Sequence, residues 1–238
     1  IDGPAGAGKS TVTKILGHWL GLDCLDTGAM YRVVAWAIRE GKKEELSGEA
    51  MVLFLKDLNF VIEGNGSAQR VWVQGRDVSQ EIRTPEISQL ASAFSMKPEV
   101  RSVLAEKQKA LGRQGGLIAE GRDMGTVIFP RADYKFFLEA SLEVRAQRRY
   151  EELIQRGQTV SLEEVKREME TRDRQDQQRA LAPLRPAQDA RVIDTSQLTP
   201  EMVVETILSQ VFSGASRFKS RDGIETAKVP PPNGPLEE

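Results

Sequence analysis

One stretch near the start of the chain constrains its fold and chemistry more than any other. Gly3-Pro4-Ala5-Gly6-Ala7-Gly8-Lys9-Ser10 fits G-x-x-x-x-G-K-[ST] in full, with Thr11 following. Glycines allow backbone amides to turn inward and approach phosphate oxygens without a Cβ in the way. A lysine then supplies a flexible point charge to the β- and γ-phosphates of ATP, and Ser10 offers a hydroxyl to Mg²⁺. The phosphates would rest on the N-terminus of the next helix, where free N–H groups and the dipole favour anions. The sequence predicts that helix: Val12, Ile15, Leu16, Trp19 and Leu20 recur at helical spacing, and Gly21 can stop it. A chance match to such a motif is on the order of one in a hundred for a chain this size. A strand should precede the loop, and only Ile1 and Asp2 stand there, so the reading expects a strand cut short at Ile1.

The 238 residues correspond to one large domain, or a core with an insert, at about 150 residues per domain. A single cysteine, Cys24, excludes an internal disulfide, and with one histidine, His18, it cannot build a zinc cluster. The longest apolar run, Val33 to Ile38, is far short of a membrane span. A net charge of −2 gives no global field to recruit nucleic acid. The expectation is a cytoplasmic monomer working on small molecules, with neither nucleic acid nor membrane as partner. Its chemistry must rest on Lys, Arg, Asp, Glu, hydroxyls and backbone. Residues 214–238 lose apolar periodicity and include Pro230-Pro231-Pro232, which reads as a disordered tail.

Arginine is concentrated locally. Between Arg145 and Arg179 there are eight Arg, one Lys and eight acidic residues. Arg rather than Lys suits planar, two-pronged phosphate contacts, although such a stretch can also be a solvated, salt-bridged helix face. Val165, Met169, Arg172, Asp176 and Arg179 share one helical face that begins apolar and turns charged, as on a helix leaving the core to line a cleft. Arg145, Arg148 and Arg149 cluster just after an apolar strand, Tyr134 to Leu138. Two turns also carry polar groups where ligands bind in open α/β folds: Asp26-Thr27-Gly28-Ala29-Met30-Tyr31-Arg32 and Glu120-Gly121-Arg122-Asp123, the latter after the strand candidate Leu117–Ala119. Phe60 and Ile62, then Val71 and Val73, alternate around Asn65-Gly66 and predict a small antiparallel unit.

A switch GTPase would need D-x-x-G and N-K-x-D, and neither occurs. A small kinase remains. The stretches IDGPAGAGKST (from residue 1), LDTGAMYR (25–32), VSQEIRTPEIS (78–88), AEGRDMGTVIFP (119–130), ASLEVRAQRR (140–149), RDRQDQQRALAPL (172–184) and VIDTS (192–196) resemble the bacterial cytidylate kinases among the nucleoside-monophosphate kinases. The resemblance runs to about residue 212. It implies an α/β fold with a parallel five-stranded sheet flanked by helices. The core would take 1–26, 115–145 and 180–213, the acceptor-binding region with its antiparallel β insert about 27–114, and the lid about 146–179.

The resemblance further implies transfer of the γ-phosphoryl group of ATP to CMP or dCMP, with Mg²⁺, in pyrimidine nucleotide metabolism. Thr27, Tyr31 and Arg32 would flank the acceptor site. Ser92, Arg101 and Asp123 would read cytosine, Arg122 and Arg179 would hold the CMP phosphate, and Arg172 and Asp176 would meet the sugar. Arg145, Arg148 and Arg149 would contact the transferred phosphate together with Lys9. Departures are small: Thr27 where a serine also occurs, Ser10 where some members have Gly, Glu120 where Asp also occurs. A cytosine reader needs a carboxylate or hydroxyl beside a cation, and Asp123, Ser92 and Arg101 supply those types. From the residues alone, a kinase for UMP, AMP, GMP or shikimate stays open, as does a module that uses ATP only to regulate a partner.

Overall fold

The computed structural model describes residues 1–63 and 69–213. The predicted Asn65-Gly66 turn and the 214–238 tail lie outside them.

Helix α1 (Lys9–Leu20) follows the glycine-rich loop and ends at Gly21, as the periodicity predicts. Val12 and Leu16 are buried on its core face while Trp19 is 47% exposed, so the apolar stripe is narrower than its spacing suggests. Strand β1 (Asp23–Asp26) leads into α2 (Thr27–Glu40). Asp26 caps α2 by accepting from the Ala29 amide at 2.8 Å. Every residue from Val33 to Ile38 is buried, which makes α2 the central helix of the larger apolar core. Helix α3 (Gly48–Asp57) packs beside it, and β2 (Phe60–Glu63), β3 (Arg70–Val73) and β4 (Arg76–Asp77) form the antiparallel unit that the alternation predicts, with Phe60 opposite Val73. Helix α4 (Pro85–Phe94) starts at Thr84, whose hydroxyl accepts from the Ile87 amide, with proline in its first turn. Helix α5 (Pro98–Leu111) follows.

The parallel strands come in two pairs: β1 with β5 (Leu117–Glu120), and β6 (Phe136–Glu139) with β7 (Arg191–Asp194). The expected continuous five-stranded sheet is thus seen as two smaller sheets. Asp2 lies between them and makes parallel bridges to Gly121 on one side and Phe137 on the other. Only this residue bridges both because Gly3, at φ +147, turns the chain at once into the phosphate loop; a Cβ there would sit 2.0 Å from the Leu138 carbonyl oxygen. Helix α8 (Pro200–Ser213) closes a second core with α1 and β6.

Helices α6 (Leu142–Gln155) and α7 (Leu162–Gln178) form an antiparallel pair with a small apolar cluster of their own, Ala146, Leu153, Val165 and Met169. Ser161 and Glu164 cap α7 reciprocally. Among the described residues no helix is long and apolar enough to cross a membrane.

Candidate active site

The loop from Gly3 to Gly8 takes positive φ at Gly3, Gly6 and Gly8, and Gly8 caps α1. At Gly6 a Cβ would press on Arg145 and Met169 at 3.0 Å, so a side chain there is excluded by space as well as by conformation. Lys9 is buried, and its ammonium donates to the Pro4 carbonyl at 2.7 Å. Burial pushes Lys9 down to about 7, with Arg122 and Arg172 adding to the effect. Among the described residues no carboxylate lies within ion-pair distance of its ammonium. The Ser10 hydroxyl donates to Glu120 Oε2 at 2.9 Å, and the Thr27 hydroxyl to the Glu120 carbonyl at 2.6 Å. Glu120 is held above the usual carboxylate range by burial and by Asp26.

Beyond β5 the chain turns through Arg122 and Asp123 into one wide helical turn, Met124–Ile128. Asp2 holds that turn: its two carboxylate oxygens each accept one amide, from Met124 and from Gly125, both at 2.8 Å. The same strand residue therefore positions the phosphate loop and the loop carrying Arg122 and Asp123. Asp123 pairs with Arg101 at 2.5 Å and with Arg179 at 3.7 Å. Asp176 pairs with Arg122 at 2.9 Å and with Arg179 at 3.6 Å. Burial would raise Asp176, but Arg122, Arg172 and Arg179 outweigh it and hold the carboxyl low. For Asp123 burial wins over Arg101 and Arg179, and the carboxyl is raised. The Tyr31 ring lies under the Arg101 guanidinium at 6.0 Å. Ser92 donates to Gln175 at 3.4 Å, a contact between α4 and α7. Arg172 has no ion pair among the described residues, its Nε is buried without a partner, and burial with Arg122 lowers it to about 10.

Most of these groups line one cleft of about 610 Å³ at the carboxyl ends of the parallel strands, a size that suits small organic ligands.

A family model described as cytidylate kinase matches residues 1–213. The chain belongs to the cytidylate kinase family. Curated relatives named cytidylate kinase agree: one from Citrifermentans bemidjiense is 46% identical over 89% of this chain and 91% of its own. Another, from Thermosipho melanesiensis, is 46% identical over 89% and 94%. A third, from Pseudomonas syringae pv. tomato, is 45% identical over 89% and 93%.

In this cytidylate kinase fold most of the sequence-predicted residues converge. Ala5, Gly6, Ala7, Gly8, Lys9, Ser10 and Thr11 line the loop end of the cleft. Thr27, Tyr31, Arg32, Ser92, Arg122, Asp123, Arg172, Asp176 and Arg179 line the rest, with Arg148 and Arg149. Gly3 and Pro4 shape the loop from behind, and Arg101 stands behind Asp123. Arg145 differs from its expected place at the transferred phosphate. It is buried away from the cleft, paired with Asp173 at 2.7 Å and donating to the carbonyls of Ala140 at 2.9 Å and Ala5 at 3.2 Å. These three bonds tie the loop to both α6 and α7 through Nε and Nη1 of the guanidinium. Arg148 donates to the Thr195 hydroxyl at 3.2 Å and carbonyl at 2.7 Å, and Arg149 pairs with Glu152 at 2.7 Å. Sequence reading missed Asp2 as the anchor of the loop carrying Arg122 and Asp123, and missed Arg83, Glu152 and Arg156 as cleft residues. The run VSQEIRTPEIS was the available signal for Arg83.

Proposed function

We propose that the protein phosphorylates CMP and dCMP to CDP and dCDP with ATP and Mg²⁺. One observation carries the reading: on the glycine-rich loop the buried Lys9 ammonium has no carboxylate within ion-pair distance among the described residues, beside a wall where other cations are paired to Asp123 and Asp176. Unpaired buried cations call for anions from outside, and polyphosphate on a glycine-rich loop supplies them.

An oxygen of the acceptor's phosphate attacks the γ-phosphorus in line as the bond to the β–γ bridging oxygen breaks, and ADP leaves. No covalent enzyme intermediate is needed, so the protein's work is positioning and charge neutralisation. Lys9 takes the β- and γ-phosphates, and Arg148 and Arg149 lead in from α6. Arg122 and Arg179 take the acceptor phosphate, Arg172 and Asp176 the sugar, and Ser92, Asp123 and Arg101 the base. Arg145 serves by holding the loop against α6 and α7. Closure of α6–α7 over the nucleotides excludes water, which would otherwise accept the phosphoryl group.

Mg²⁺ would be held by the Ser10 hydroxyl with Glu120 beside it, where it would supply neutralising charge to the phosphates. The residues fit: an exposed hydroxyl bonded to a buried carboxylate offers oxygen to a hard cation, and a magnesium ion completed by phosphates needs only one or two protein groups. No group of three or more His, Cys, Asp or Glu side chains clusters for a metal among the described residues.

The finer architecture proposed with this function is one sheet in the order β1, β5, residues 1–2, β6, β7, supported by the two Asp2 bridges. The separate apolar cluster of α6–α7 supports a lid over about 146–179, and the β2–β4 unit an insert within the acceptor region of about 27–114. The protein is proposed to act in the cytoplasm as a monomer.

The test is ADP release from Mg-ATP with CMP, dCMP, UMP, AMP, GMP or no acceptor. Strong stimulation by CMP and dCMP is expected. Release driven mainly by another monophosphate would overturn the cytosine assignment, and ATP binding without stimulation by any acceptor would favour the regulatory-module reading.

A further inference from the structure

The wide turn Met124–Ile128 begins with amides that no preceding turn can satisfy. Asp123 stands in the capping position just before it. An aspartate there ordinarily turns its carboxylate back onto the amides that follow. Asp123 does not: its side chain makes no cap bond and faces Arg101 and Arg179 instead.

The cap comes from far away in the sequence. Asp2 is buried, and its Oδ1 accepts from the Met124 amide and its Oδ2 from the Gly125 amide, both at 2.8 Å. Among the described residues its carboxylate makes no ion pair, so these two charge-assisted bonds are where its charge is spent. The fit is close. A Cβ on Gly125 would lie 3.4 Å from Asp2 Oδ2 and 3.1 Å from Lys135 Cδ. The backbone of Asp2 is fixed as well, its amide donating to the Phe136 carbonyl and its carbonyl accepting from the Leu138 amide, both at 2.8 Å.

One carboxylate cannot both cap this turn and meet two guanidinium groups across the cleft. With the first amides already satisfied, nothing draws Asp123 back onto its own turn. The negative charge of Asp2 also opposes that of Asp123, which makes the side facing the arginines the favourable one.

We propose that Asp2 is a positioning residue for base selectivity: by capping the turn in place of Asp123, it frees the Asp123 carboxylate to hold Arg101 and Arg179 at the acceptor base. The assignment rests on the kinase reading above. It puts the effect on the acceptor side because the Asp2 carboxylate bonds only the turn after Asp123. On Lys9 the charge of Asp2 acts more weakly than those of Arg122, Glu120 and Arg172.

The test measures kcat/KM for CMP and for UMP on the full chain, as wild type, Asp2→Asn, Asp123→Asn and the double variant. Asp2→Asn keeps the shape but turns one accepting oxygen into a donor facing an amide. The ratio for CMP over UMP is expected to fall about tenfold, with KM rising more for CMP than for ATP. In the double variant the ratio should match that of Asp123→Asn alone within about twofold, because Asp2 acts through Asp123. An unchanged ratio in Asp2→Asn, or losses that multiply in the double variant, would overturn the proposal. If Asp2→Asn does not fold, Asp2→Ser carries the same comparison with a shorter side chain and a single accepting oxygen. Hydrogen exchange on the wild type needs no variant: the Met124 and Gly125 amides should be protected, and free exchange of either would refute the cap. A wild-type enzyme with no preference for CMP over UMP would instead refute the function on which the proposal rests.

Discussion

The two ends of the cleft solve opposite problems with the same residue types. On the acceptor wall, Arg101, Arg122 and Arg179 are tied to Asp123 and Asp176 before any ligand arrives. At the loop, among the described residues, Lys9 bonds the Pro4 carbonyl alone, and Arg148 the hydroxyl and carbonyl of Thr195. A pyrimidine base carries no net charge, so the pair proposed to read it, Asp123 with Arg101, must be neutralised in advance; a lone buried charge facing a neutral base would be costly. ATP brings several negative charges, so the groups that receive it are left without protein counter-charges. Pre-paired groups suit discrimination by geometry, and unpaired ones suit binding that depends on charge.

Breaking the loop end should have the largest effect. Lys9→Ala removes the cation proposed to take the β- and γ-phosphates, and turnover with CMP is expected to fall about a thousand-fold, measured as ADP release. The fold should survive, because Lys9 bonds only one carbonyl oxygen; an unchanged circular dichroism spectrum and unfolding midpoint would check that.

Breaking the acceptor wall should cost selectivity more than rate. Asp123→Asn keeps the shape but removes the charge that Arg101 and Arg179 share. The ratio of kcat/KM for CMP over UMP is expected to fall about ten- to a hundred-fold, since each good polar base contact contributes about 1–3 kcal/mol of discrimination. An unchanged ratio would remove Asp123 from the base-reading set.

Much of this contrast is legible in the sequence, and unevenly so. The loop end is local: Gly3 to Ser10 and the stripe Val12 to Leu20 lie within one strand–loop–helix unit, so spacing alone identifies them. The charged face of α7 is equally plain, because Val165, Met169 and Asp176 are one helical face and all three are buried. The acceptor wall is not local. Arg101 meets Asp123 across 22 residues, Arg122 meets Asp176 across 54, and Asp2 meets Gly125 across 123. No periodicity reports such pairings, and there only the resemblance placed the residues. Arg145 shares a helix and a spacing with Arg148 and Arg149, but it meets Asp173 and the Ala5 carbonyl while those two line the cleft, a difference that spacing alone does not report. The sheet was harder still, since its two halves meet at residues 1–2, with Ile1 bonded to Ala119 and Gly121 and Asp2 bonded to Phe136 and Leu138.

The smallest effect is also the most direct test of the contrast. Burial and neighbouring arginines hold Lys9 near 7 in the free protein, about 7 against an ordinary value of 10.5. Phosphates favour the charged form, so nucleotide raises that value, and affinity for ATP should decline as pH climbs above about 7 toward the bound value. At pH 8 the free lysine is largely neutral, and binding must draw in a proton. On the acceptor wall Arg101, Arg122 and Arg179 are already ion-paired, and arginines keep their charge at this pH. Calorimetry at pH 8 in buffers of different ionisation enthalpy should therefore show uptake of about one proton on binding Mg-ATP and close to none on binding CMP. Equal proton counts for the two nucleotides, or none for ATP, would contradict the division of the cleft into an unpaired donor end and a pre-paired acceptor wall.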